Sequence, residues 1–278
     1  MLLFYNDLDN MDKNLLLTAI RASLEAGSEI MSVYTDPNAD FEIEKKADNS
    51  PLTIADRKSH MVIAARLAST PYPVLSEEGK KIPVEERQSW NELWIVDPLD
   101  GTTNYIHDEA PYCVSIALRS RTELLLGVVY EVCRDECFYA WKGGKAFMNG
   151  EEIHVSNVED IKDAFVITEL PYNHLQYKQT ALHLIDQLYG VVGGIRMNGS
   201  AAAAICYVAI GRFDAWMEAF LGKWDYSAAA LIVQEAGGKV TDFYGEDHFI
   251  EGHHIIATNG NLHPFFQKLL AEVPPLNM

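Results

Sequence analysis

Glu77, Asp97, Asp100 and Asp225 are carboxylates placed where a folded chain can rarely leave a charge alone. The run Leu93-Trp94-Ile95-Val96 is apolar enough for a buried strand, and Asp97 and Asp100 follow it around Pro98. Unpaired charge at a buried strand end is costly, so either a cation is held there or the strand end is wet. Glu77-Glu78 closes a second short apolar run, and Asp225 begins a helix after Gly222-Lys223-Trp224. Hard cations such as Mg²⁺ take oxygen ligands of this kind. One carboxylate shared between two ions would make a two-metal site, with the ions roughly 3.5–4 Å apart. Asp97 is the natural bridge, because Asp100 and the Leu99 carbonyl can face the same ions from one turn.

The residues after Asp100 suggest the other half of such a site. Gly101 permits an unusual backbone conformation. A helix starting at Thr102 or Thr103 would offer free N–H groups to an anion. Asn198-Gly199-Ser200-Ala201 offers a second helix start of the same type. Metal ions beside a helix start describe a phosphate cradle. Each residue alone has a plainer account: an Asp-Gly turn at Asp100-Gly101, a solvated loop at Glu77-Glu78, an N-cap at Asp225. Spacing alone does not establish that these segments meet.

The elements that would position them are readable in outline. Residues 12–34 have apolar positions at helical spacing, and 40–47 alternate like a strand. A helix runs from about Thr53, with Asp56 in or near its first turns. Residues 72–79 read as a short strand and 80–92 as an exposed loop. Closely spaced strands follow at 112–119, 122–131, 136–141 and 145–148, which suggests an antiparallel region. The second half alternates. Strands fall at 163–170, 191–196, 212–218, 239–243 and 253–259, with helices at 175–189, 199–211, 225–238 and 260–272. This alternation points to a layered α/β architecture.

Composition narrows the function classes. The 278 residues carry 40 acidic against 22 basic side chains, a net charge of −18. That argues against general nucleic-acid binding. It leaves a phosphorylated substrate open, because bound divalent cations invert the local charge. Cys113, Cys133, Cys137 and Cys206 show no zinc-type spacing and read as reduced thiols. The start has no basic n-region of a signal peptide, and no apolar run reaches the ~20 residues of a membrane span. The expectation is a cytoplasmic protein.

Over nearly its whole length the sequence resembles the inositol monophosphatase family of metal-dependent phosphatases. The matching segments are KADNSPLTIAD (46–56), SEEG (76–79), DPLDGTTNYIH (97–107), KGGKAFMNGEEIHVS (142–156), GSAAAA (199–204) and WMEAFLGKWDYSAAALIVQEAGG (216–238). The resemblance implies an α/β fold, a layered αβαβα sandwich, binding two or three Mg²⁺ ions. It divides the chain into an α+β part, residues 1–150, with most metal ligands, and an α/β part, 151–278, with the substrate pocket and the last ligand. By position, Glu77, Asp97 and the Leu99 carbonyl resemble the ligands of one ion, and Asp97, Asp100 and Asp225 those of a second. Glu78 resembles an outer or third-ion acid. Thr102 resembles the residue that orients the attacking water, with Asp56 as its acidic partner. The Gly101 and Thr102 N–H groups would hold the phosphate. Gly199, Ser200, Ala201 and Glu218 resemble the substrate pocket. The family also implies lithium sensitivity and a homodimer, and its partner is a small phosphorylated molecule rather than a nucleic-acid polymer or a membrane.

Two members of that superfamily compete. KADNSPLT and VLSEEG resemble the 3′(2′),5′-bisphosphate nucleotidases, whereas Thr103-Asn104-Tyr105 and His107 resemble the inositol monophosphatases. Glu218 stands where the latter bind substrate hydroxyls, and a carboxylate accepts well from two neighbouring hydroxyls. Gly222 replaces a histidine found near the substrate in animal inositol monophosphatases, which leaves the exact ester open. His107 reads as a loop or interface residue. Arg196 either reaches an anionic substrate or pairs with a surface acid. A non-catalytic phosphate- or metal-binding protein is the alternative of a different class.

Overall fold

The computed structural model describes residues 13–38, 40–46, 49–171 and 174–273. The reading of the N-terminal start, and Ala47-Asp48 of the first matched motif, fall outside them. Helix α1 (Lys13–Tyr34) buries Leu16, Ala19, Ala22, Ser23, Ala26, Gly27, Ile30 and Val33, one stripe at helical spacing. A Cβ on Gly27 would lie 2.4 Å from the Tyr130 ring, so glycine is what lets the helix seat there. Among the described residues of the alternating stretch 40–47, the strand formed is the two-residue β1 (Glu44–Lys45), paired with β2 (Pro51–Leu52). Both β1 residues are exposed, so there is no buried face to extend it. Helix α2 (Ile54–Leu67) starts behind a Thr53 cap. After β3 (Val74–Ser76), the expected loop 80–92 contains a short helix, α3 (Val84–Gln88), which follows Pro83 with its φ set at −54°.

Strand β4 (Glu92–Asp100) does not stop at Val96. Helix α4 (Thr102–Ile106) follows at once, and then β5 (Cys113–Ser120), β6 (Leu124–Glu131), β7 (Glu136–Trp141), β8 (Ala146–Met148) and β9 (Glu151–Glu152). These form a seven-stranded sheet in the order β3-β4-β5-β6-β7-β8-β9. Only the β3–β4 pairing is parallel. The second half adds β10 (Phe165–Thr168), α5 (Lys178–Leu188), β11 (Gly194–Arg196), α6 (Ala201–Ala209), β12 (Ala215–Ala219), α7 (Lys223–Glu235), β13 (Lys239–Thr241), β14 (His254–Thr258) and α8 (His263–Ala271). Its sheet runs β11-β10-β12-β14-β13, with β14 antiparallel to both neighbours.

Strand alternation sorts the core into three layers. Trp94 and Val96 of β4 pack with α1 and α2, whereas Leu93 and Ile95 face α6 and α7. Trp216 of β12 and Ile255 of β14 meet the same two helices from the other sheet, and Ala215, Met217 and Ile256 point outward to α5 and α8. The order is thus helices, sheet, helices, sheet, helices, as expected. Every residue of α6 is buried, because a helix between two sheets has no solvent face. Ala228–Ala230 of α7 answer the same constraint. A Cβ on Gly127 would come within 2.4 Å of the Ala228 carbonyl oxygen, so sheet and helix touch at backbone distance.

Candidate active site

Asp97 and Asp100 should point to opposite faces of a regular strand, since they are three residues apart. They do not, because β4 carries a bulge. Asp97 pairs with Ser115 and Asp100 with Cys113, so three steps on β4 match two on β5. Val96 and Leu99 accordingly share the α1–α2 core, and the two aspartates both face the α6–α7 layer. Pro98 sits in the bulge, where a missing N–H is tolerated. Gly101 then turns the chain at φ +88° into α4.

Glu77 enters from the neighbouring strand: its N–H donates to the Val96 carbonyl just beyond β3. Asp225 enters from the first turn of α7, where one carboxylate oxygen accepts from the Gly222 N–H at 2.6 Å. It is the third helical residue and not the cap itself. One oxygen each of Glu77, Asp97 and Asp225 lies within 4.8 Å of the other two. Burial raises the pKa of all three, and in Asp97 and Asp225 repulsion from neighbouring carboxylates adds to it. One buried and two half-buried acids crowded in this way fit a hard divalent cation, whose charge offsets their repulsion and whose oxygen preference they meet.

Asp100 behaves differently. Its Oδ2 accepts from the Ser200 hydroxyl at 2.7 Å and the Ala202 N–H at 2.8 Å, at the start of α6. It stands outside the tightest carboxylate group among the described residues. The Leu99 carbonyl is 3.0 Å from the Thr102 hydroxyl, which also lies 3.0 Å from Asp56 Oδ1. Asp56 is fixed in turn by a capping box: its Oδ2 accepts from the Thr53 N–H at 2.7 Å and the Thr53 hydroxyl at 2.6 Å.

Glu77, Asp97, Leu99, Asp100, Gly101, Thr102, Gly199, Ser200, Ala201, Glu218 and Asp225 all line one cavity of about 280 Å³. Asp56 and Glu78 do not. Asp56 acts from behind Thr102, and Glu78 is an ion-pair partner of Lys46. His107 is an exposed residue after α4. Arg196 is exposed too, its guanidinium 4.7 Å over the Phe165 ring and outside the cavity.

Four residues of the wall, Lys46, Glu169, His174 and Phe220, had no role in the sequence reading. The Lys46 ammonium is 2.6 Å from Glu77 and also contacts Glu78. Burial opposes its charge, but the two glutamates outweigh that and hold it above the usual lysine range. Glu169, just beyond β10, accepts from the Asn198 N–H at 2.8 Å and the Gly199 N–H at 3.2 Å. Burial pushes its pKa up to about 7, against those hydrogen bonds. Burial and the neighbouring Glu169 raise Glu218 as well. His174 stacks on Phe220 at 4.5 Å, and Phe220 has φ +66°, a rare conformation for an aromatic residue. Glu169 carried the same signal as Glu77, an acid closing a short apolar strand. Lys46 stood within a matched motif. Phe220 carried no signal.

Comparison with known proteins places this geometry. The model of the inositol monophosphatase family matches residues 11–274. "Nus factor SuhB" of Pseudomonas aeruginosa is 36% identical over 266 residues, covering 94% of this chain and 96% of that one. An inositol-1-monophosphatase of Rhizobium meliloti is 34% identical over 265 residues, covering 93% and 95%. Among solved structures, the extragenic suppressor protein suhB of Bartonella henselae superposes with a TM-score of 0.87 at 32% identity, covering 94% of this chain and 100% of that one. The inositol monophosphatase of Anabaena gives 0.83 at 31% identity, covering 95% and 98%. The matched family is Mg²⁺-dependent and binds small phosphorylated substrates. Among the described residues no helix is long and apolar enough to cross a membrane.

Proposed function

Because the chain belongs to the inositol monophosphatase family, we propose that it hydrolyses a phosphate monoester with Mg²⁺, its substrate an inositol monophosphate. The observation that carries this reading is the group Glu77, Asp97 and Asp225, facing the helix starts at Thr102 and Ala201 across one cavity. Those three acids, with Asp100 and the Leu99 carbonyl, would hold two or three Mg²⁺. Bound there, Mg²⁺ lowers the pKa of water and offsets negative charge on the ester oxygens.

The chain's own residues do the rest. A hydroxyl has one proton to donate and two lone pairs. With the Thr102 proton engaged by Asp56, the Thr102 oxygen presents a lone pair to the cavity. It can accept from the attacking water and so aim it, while Asp56 receives the proton load. The N–H groups of Gly101, Thr102 and Ala201 face the phosphate. Ser200 and Ala202 fix Asp100, which keeps the two helix starts in register. Glu218 accepts from substrate hydroxyls, which suits a polyol. Lys46 holds Glu77 in place and offsets its charge.

The test is phosphate release with Mg²⁺ on myo-inositol 1-phosphate beside adenosine 3′,5′-bisphosphate. Faster turnover of the inositol ester supports the reading, and a tenfold nucleotide preference replaces it with a bisphosphate nucleotidase. The name Nus factor, carried by the Pseudomonas aeruginosa and Escherichia coli relatives, supports a second reading: a binding role that needs no turnover. It leaves open the expected exclusion of nucleic acid. Failure to release phosphate from a broad ester panel would favour it. Inhibition by lithium and a homodimer belong to the first reading. Insensitivity at tens of millimolar lithium, with activity intact, would count against a displaceable ion.

A further inference from the structure

A second cavity, about 400 Å³, shares none of its lining residues with the first. Four cations line it, Arg87, Arg119, Arg121 and Lys223, against the single acid Glu251. That is a local reversal of sign in a chain of net charge −18. Glu251 is already engaged by both Arg119 and Lys223. Arg119 spends two further nitrogens on the Ser120 and Ile250 carbonyls.

The other two arginines are different. Arg121 donates to the Trp90 carbonyl at 3.2 Å and the Gln88 carbonyl at 3.0 Å, both neutral. Among the described residues neither it nor Arg87 has a carboxylate partner. The Nε of Arg87 is moreover shielded from solvent and lacks an acceptor. A shielded donor without an acceptor is costly, and a guanidinium meets an oxyanion well through paired N–H donors. Apart from Gln88, the rest of the wall is apolar: Leu75, Val84, Leu93 and Ile95, with Trp90 beside them. The volume is that of a small-molecule site.

We propose that this cavity is a second ligand site, for a small anion of the phosphate, sulfonate or carboxylate type borne on an aromatic or otherwise apolar body. Arg87 and Arg121 supply the unpaired positive charge, and Trp90 with its aliphatic neighbours covers the body.

The probe is phenylphosphonate, which has a C–P bond and no ester to hydrolyse. It is titrated calorimetrically into the whole protein with Mg²⁺ chelated. One site should appear, and Arg87→Gln should weaken it at least tenfold without changing phosphate release from myo-inositol 1-phosphate. If Arg87→Gln misfolds, Arg121→Gln provides the same reading. No binding at millimolar probe overturns the proposal. So does unchanged affinity in the folded arginine variants, or competition by myo-inositol 1-phosphate, which would assign the probe to the first cavity. The three outcomes that overturn it are read from binding alone and hold whether or not the protein is a phosphatase.

Discussion

The first cavity has two acidic walls, and they are built on opposite terms. Asp100 and Glu169 are capped by hydroxyl and backbone donors at the approach to α6. Glu77, Asp97 and Asp225 instead crowd one another, with Lys46 the ammonium in contact with Glu77. Asp100 and Glu169 each take two donors from the start of α6 or the turn before it, and so tie that segment to β4 and β10. Three carboxylates forced together are a site kept open for positive charge. The difference separates a wall tied to α6 through its donors from a wall whose repulsion calls for a cation, and Asp100, with those donors on Oδ2, stands between the two.

The largest expected effect comes from the crowded wall. Asp97→Asn should lower phosphate release by about a thousandfold or more, since it removes the charge at the centre of the group. The fold should survive, because the change relieves repulsion. Near-normal turnover would end the two-metal account. Chelation should give a comparable loss in the wild type, reversed by Mg²⁺. Mg²⁺ should also raise the wild-type Tm through linkage, and Asp97→Asn should abolish that shift in a thermal melt.

Thr102→Ala tests the residue between the walls. A loss of about a hundredfold in kcat with little change in KM is the expected result for a group that aims water. An effect on KM alone would assign Thr102 to substrate binding only. Glu218→Gln should be milder, about tenfold in kcat/KM for the inositol ester, with less effect on a simple aryl phosphate.

The smallest effect belongs to the donor-capped wall, and it is a pH dependence. The pKa of Glu169 is raised from 4.5 to about 7 on folding. Between those values the folded chain binds more protons there than the unfolded one, so stability falls as pH rises through the window. Glu169→Gln should flatten that slope in the metal-free protein, by on the order of a few degrees in Tm. An unchanged slope between pH 4.5 and 7 would return Glu169 to a purely structural role.

The sequence alone determined the chemistry's raw material. The acids following short apolar runs at Glu77 and Asp97, the Gly101 turn into a helix, and Asp225 in the first turn of α7 were legible, because each depends on local pattern. So was the layered alternation, down to a small-residue α6 whose composition demands a buried position. Some local features escaped: the paired residues Glu44-Lys45 bury no face, and α3 is only one turn of an expected loop.

Tertiary structure decided the rest. Only the pairing of β4 with β5 reveals the bulge that turns Asp97 and Asp100 to one face, since register is a property of two strands. Only the meeting of β3, β4 and α7 brings Glu77, Asp97 and Asp225 together while α6 takes Asp100 aside. Lys46 and Glu169 joined the cavity by the same route. Sequence pattern reports which face a side chain is suited to. Which charges must share that space depends on segments far apart in the chain, and their mutual distance is settled when the two sheets close on α6 and α7.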